Sequence, residues 1–157
     1  MRHSMQIVQG FAVMLLLAGC GEAVINKLFN PQSTATAHVW YETNHCVDSP
    51  YRIHAFDETL YTQASYDDDD YSNLVDKTTQ TITDWNINGF VASQIKNGIP
   101  VEYICAITAN QEPFKGDPDS ITLQCIATEE NPDADAFLST MWKTKELATA
   151  HPYTTCM

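Results

Sequence analysis

The stretch FVASQIKNGIPVEYICAIT, residues 90–108, contains two apolar-bearing runs joined by Asn97-Gly98. Asn-Gly is a favoured pair for a two-residue hairpin turn, because both central residues of that turn need positive φ. Gly98 would equally suit the end of a helix, where a left-handed residue is common; the hairpin is the preferred reading. Downstream, SITLQCIAT (120–128) matches VEYICAIT (101–108) in β-branched and apolar character across the polar, Pro- and Gly-containing ANQEPFKGDPD (109–119). Three strands would then form a meander over residues 90–128. Opposed residues of a hairpin have numbers with a constant sum, and Cys105 and Cys125 are centred on Lys115, inside the second loop. A cross-strand Cys105–Cys125 disulfide is therefore feasible.

Working outward, TAHVWYET (36–43) and YRIHAF (51–56) are rich in strand-favouring residues and flank the turn-prone NHCVDSP. On the first, Ala37, Val39 and Tyr41 read as a buried side, and Thr36, His38, Trp40 and Glu42 as an amphipathic one. YDDDDYSN (66–73) marks a loop. Leu74–Trp85 supports two readings. Leu74, Thr78, Ile82 and Trp85 share a helical face, while the threonines at 78, 79, 81 and 83 favour a strand; helix is preferred. Near the C-terminus, Asn131 can cap a helix that Pro132 opens, with Ala134, Phe137, Leu138, Met141 and Ala148 on one face and His151-Pro152 as the stop. The expected fold class is α+β: an antiparallel meander with one C-terminal helix and a second helix over Leu74–Trp85, stapled by disulfides.

The N-terminal segment carries a different kind of signal. Phe11–Ala18 is an unbroken apolar run, too short for the roughly 20 residues that span a bilayer and of the length of an export signal core. Leu17-Ala18-Gly19-Cys20 follows it directly and resembles the lipobox of bacterial lipoproteins. That resemblance, confined to residues 1–22, implies that Cys20 is acylated, with palmitate among the fatty acids, and becomes the new N-terminus. Each buried methylene contributes about 0.8 kcal/mol, so two or three chains anchor a protein firmly. Gly21, where an Asp would imply retention at the inner membrane, points to the outer membrane. The expected organisation is a signal peptide at 1–19, a lipidated tether at 20–36, and one globular domain at 37–157.

With Cys20 acylated, four of the five cysteines remain, an even set in a compartment where disulfides persist. If Cys105 pairs with Cys125, Cys46 pairs with Cys156 by elimination and clamps the C-terminal tail. Such a long closure stabilises by roughly 4 to 5 kcal/mol on the loop-entropy account.

The 157 residues include 8 basic and 20 acidic side chains, for a net charge of −12. That balance disfavours nucleic acid and anionic lipid surfaces, which basic patches attract. The lipid, not the surface charge, must hold the protein to a membrane. No phosphate loop, nucleophile elbow, zincin helix or CxxC pair occurs, and disulfide bonding would remove thiolate nucleophiles. No cofactor is expected. Asp67 and Asp69 are weak candidates for a metal site, since alternate carboxylates of an extended chain converge, but the EF-hand positions are not met. His38 and His54 sit on adjacent expected strands and could pair as metal ligands or supply a general base, although structural roles are the simpler reading.

Trp40, Tyr51, Tyr61, Tyr66 and Tyr71 are the candidate binding residues, because such side chains bury large area while keeping a polar handle. The expected function is a non-enzymatic binding module facing the periplasm, with an envelope protein or cell-wall component as partner. The alternatives are an envelope hydrolase acting on glycan through paired carboxylates and a calcium-dependent structural module.

Overall fold

The computed structural model describes residues 29–45, 49–110, 118–128 and 136–152. Cys20 and its lipobox lie outside them, as do Cys46 and Cys156. Eight antiparallel strands run in sequence order and close into an up-and-down barrel. They are β1 (Trp40–Thr43), β2 (Tyr51–Phe56), β3 (Leu60–Tyr66), β4 (Leu74–Asn86), β5 (Gly89–Lys96), β6 (Ile99–Ala109), β7 (Ser120–Ala127) and β8 (Phe137–Trp142). Two short helices, α1 (Pro31–Ala37) and α2 (Lys145–Ala150), pack outside the strands. The expected antiparallel meander is present, and it continues around until β1 meets β8 through Tyr41 and Trp142.

Closure follows from alternation. An eight-stranded barrel is narrow enough for side chains to fill, and here Trp40, Phe56, Tyr61, Phe90, Tyr103, Ile107, Ile121, Leu123 and Met141 fill it. Many outward rungs are polar, including Thr62 with Thr79, Thr81 with Ser93, and Thr122 with Thr140, interrupted by apolar residues such as Val91, Ile104 and Ile126 across β5–β7. A lipid-spanning barrel instead turns an apolar band outward. No described helix is long and apolar enough to cross a membrane.

The β5–β6 hairpin turns at Asn97 (φ 52°) and Gly98 (φ 80°), as its sequence predicts. In the next hairpin Cys105 stands directly opposite Cys125, and the two form a disulfide. Gly89 opens β5 for a steric reason: a Cβ there would lie 2.1 Å from the Cys105 carbonyl oxygen.

Two helical expectations are corrected. Leu74–Trp85 belongs to β4, whose threonines pair with β3, for example Thr78 with Gln63 and Thr79 with Thr62. Only Gln80 and Ile82 of β4 are fully buried, so its strand alternation is faint in sequence. The helix expected from Pro132 to Ala148 is present only at its end, over Lys145–Ala148. Phe137–Trp142 instead forms β8 between β7 and β1, with Ser139 and Met141 inward, and helix begins only at Lys145. Thr144 caps α2 by accepting a hydrogen bond from Leu147 N.

The stretch read as tether contains α1. Asn30 caps it, its Oδ1 accepting from Ser33 N at 2.9 Å, and Pro31 takes the first helical position, where its missing N–H costs nothing. Ala35 is buried where α1 packs against β2, β4 and β5 at one barrel end, and Trp40 Nε1 donates to its carbonyl at 3.0 Å. Helix is therefore present upstream of residue 37.

Candidate functional site

Trp40 and Glu42 point into the barrel, so the inward side of β1 is the one read as amphipathic, while Val39 is exposed. Register explains how Glu42 is tolerated there. Trp40 lies opposite His54 and Glu42 opposite Arg52, which brings a charged partner and an imidazole to the carboxylate. Glu42 Oε2 accepts from Ser139 Oγ at 2.8 Å and lies 2.9 Å from His54 Nε2, and Oε1 accepts from Arg52 Nη1 at 3.3 Å. An ionised carboxylate only accepts, so His54 carries a proton on Nε2. His54 Nδ1 lies 2.9 Å from the Tyr61 hydroxyl.

Burial alone would raise the Glu42 carboxyl; the hydrogen bond and charge of His54, with Arg52 and Ser139, overcome it and hold the group below its ordinary range. Burial, reinforced by the Glu42 charge, pushes the Tyr61 phenol far up. Glu42, His54, Tyr61 and Ser139 are each at most 4% exposed. They satisfy one another, as buried polar groups must, and an external molecule has no direct access to them. Chemically the arrangement is an interior ion and hydrogen-bond network that fixes the register of β1, β2, β3 and β8.

His38 and His54 do not meet: His38 stacks edge-on against Trp40 at 5.5 Å, whereas His54 is committed to Glu42 and Tyr61. Asp67 and Asp69 do not converge on a site either. Both Asp67 oxygens accept from Asn73 Nδ2, at 2.7 and 2.8 Å. Asp68 accepts from Ser72 N, Ser72 Oγ and Asn73 N, which lowers its carboxyl, and Asp70 pairs with Lys145 Nζ at 3.0 Å. Asp67, Asp68 and Asp70 thus direct their carboxylate oxygens to the loop's own turn and to α2. Among the described residues no three His, Cys, Asp or Glu side chains gather in a metal-holding group.

Of the five candidate aromatics, Trp40 and Tyr61 are interior and cannot act as surface contacts. The other three come together on the outer wall of β1–β3. Tyr51 is paired with Tyr66 across β2 and β3. Tyr71 reaches over from the acidic loop, with its ring centroid 5.7 and 5.8 Å from those of Tyr51 and Tyr66 and 5.4 Å from that of Tyr41. Tyr71 has φ 55°, a left-handed backbone that costs roughly 1 to 2 kcal/mol outside glycine. The chain accepts that cost where the ring is buried among three others. Its hydroxyl donates to the Glu42 carbonyl at 3.3 Å, and Lys145 Nζ lies 5.8 Å from its ring centroid. Tyr41, Tyr51 and Tyr66 remain partly exposed.

A shallow hollow of about 450 Å³ between α1 and the β2–β3 turn contains Asp57 and Glu58. Asp57 is already engaged, because its Oδ1 accepts from Thr59 N and Leu60 N, and those bonds lower its carboxyl.

Sequence reasoning did not identify Glu42, Arg52 or Ser139. The available signal was a polar residue at alternate inward positions of two facing strands: Glu42 two residues from Trp40, and His54 two from Phe56. The class defined by the geometry is an eight-stranded up-and-down barrel with a filled interior and a sealed polar network. Comparison of the chain with protein families, curated proteins and solved structures gives no match.

Proposed function

We propose that the protein is a lipoprotein of the bacterial cell envelope, anchored through acylated Cys20 at the outer membrane. Its barrel faces the periplasm and binds an envelope protein or cell-wall component without catalysing a reaction. The observation that carries the binding reading is the tyrosine wall, where Tyr41, Tyr51 and Tyr66 stand partly exposed around Tyr71. Tyrosine suits this use because it gives rigid contact area with a hydroxyl at its edge. The burial of Glu42, His54 and Tyr61, whose polar tips engage one another inside the barrel, supports a structural rather than catalytic role for them. The anchoring part rests on the lipobox resemblance and on the acidic charge, which gives the protein no electrostatic hold on anionic lipid.

The test has two arms. Mass spectrometry of the protein from native envelopes should find residue 20 as an acylated N-terminus, and Cys20→Ala should release the chain from the membrane fraction. A photo-crosslinker at Thr62, on the same wall, should yield a defined adduct that Tyr51→Ala with Tyr66→Ala abolishes. Persistence of that adduct, or turnover of cell-wall glycan by the purified protein, would contradict the reading.

A further inference from the structure

We infer that the outer wall of β5–β8 is a second contact surface, for a protein segment presenting a lysine or arginine set among apolar side chains. The inference rests on the binding-module reading above and names the chemistry of one partner.

Strand register assembles the wall. Val91, Ile104 and Ile126 lie on one outward rung across β5, β6 and β7, with Ile104 and Ile126 each 49% exposed. The next rung places Ala106, Gln124 and Leu138 side by side across β6, β7 and β8. Toward the Asn97-Gly98 turn, Ile95 stands opposite Pro100, and Ile95 is 67% exposed. Between these apolar rungs sits the pair Ser93–Glu102. Glu102 is thus an exposed carboxylate within an apolar field, and it makes no ion pair among the described residues. Across β4, Asp84 continues the Val91 rung and adds a second negative charge. The only lysine or arginine in β5–β8 is Lys96, at the hairpin tip.

Charge complementarity selects the occupant. Docking over Val91, Ile104 and Ile126 would cover Glu102, and a carboxylate taken from water without a counter-charge is strongly penalised. A segment that brings a cation into register with Glu102 turns that penalty into selectivity. A second copy of this chain would bring its own acidic surface, at −12 net charge per chain, and anionic lipid is repelled by the same field. A basic, apolar protein segment satisfies both features of the wall.

The experiment uses the full-length lipoprotein in native envelopes, with a benzophenone amino acid replacing exposed Gln124. A protein adduct is expected whose mapped contact contains a lysine or arginine beside apolar residues. Its yield should fall at least about tenfold in Glu102→Lys, less in Glu102→Gln, and recover when the partner's cation is changed to Glu. Glu102 and Gln124 are exposed, and an unchanged melting temperature in each variant shows that the barrel is intact. An adduct indifferent to Glu102→Lys, one lacking a basic residue at the contact, or one mapping to lipid or to a second copy of this chain overturns the inference. So does silence at Gln124 while the crosslinker at Thr62 reports a partner, an outcome that leaves the binding-module reading standing; silence at both positions sinks the two together.

Discussion

The two outer walls of the barrel are built in opposite senses. The β1–β3 wall backs onto the polar network of Glu42, Arg52, His54 and Tyr61, and its outer tyrosines are packed beneath Tyr71. The β5–β8 wall backs onto Phe90, Tyr103, Leu123 and the Cys105–Cys125 disulfide, and its outer isoleucines stand bare. The first half buries the charged groups alongside Trp40 and Phe56 beneath an outer tyrosine layer; the second, Ser120 and Ser139 apart, has an apolar interior and isoleucines about half exposed outside. Where the interior spends burial on charges, the chain adds an external layer to support the strands. Where the interior is already apolar and cross-linked, it needs none, so apolar residues outside β5–β8 contribute little to folding.

The largest effect expected from this contrast is at Glu42. Glu42→Ala would leave buried His54 and part-buried Arg52 without their acceptor and lower the unfolding free energy by about 3 kcal/mol, measurable by urea titration. The same carboxylate makes the covered half acid-sensitive. Its folded pKa lies below the ordinary value of 4.5, so the unfolded state binds more protons in that range. Stability from Glu42 is full above about pH 4.5 and lost as pH falls through the lowered folded value. Glu42→Gln should flatten the slope of urea midpoint against pH in that window; an unchanged slope would place the acid sensitivity elsewhere.

On the other half, replacing Cys105 and Cys125 together by Ala should cost about 3 kcal/mol, since the bridge closes a loop with a sequence separation of 20. Tyr71→Ala strips the cover from the first wall and should cost about 2 to 3 kcal/mol. Calorimetry of both variants sharpens the comparison, because a negligible loss at Tyr71 would mean that the covered wall needs no cover.

Legibility in the sequence followed the range of the interactions. The Asn97-Gly98 turn and the Cys105–Cys125 pair were readable because a two-residue turn fixes register locally and the alternation of β6 is clean. β4 was not, because its outward threonines and two buried residues leave a period that fits a helix as well. Phe137–Trp142 was misread for a related reason: the capping pattern at Asn131-Pro132 is local, whereas β8 is fixed by pairing with β7 and by closure onto β1. The interior network was the least accessible feature. Glu42 and Ser139 are 97 residues apart, and only the closed barrel brings them together. The tyrosine cluster was half visible. Tyr51, Tyr66 and Tyr71 were identifiable by type, while Trp40 and Tyr61 took inward positions that alternation alone could not assign without the register.

The smallest stability change is expected on the bare wall, and there the account is most exposed. Ile104→Ser with Ile126→Ser should alter the unfolding free energy by no more than about 0.5 kcal/mol per site, while the crosslink at Gln124 in native envelopes disappears. A collapse in stability would show that these isoleucines belong to the folded core, and an undiminished crosslink would show that they are not what the partner meets; either result contradicts the division of labour between the two walls.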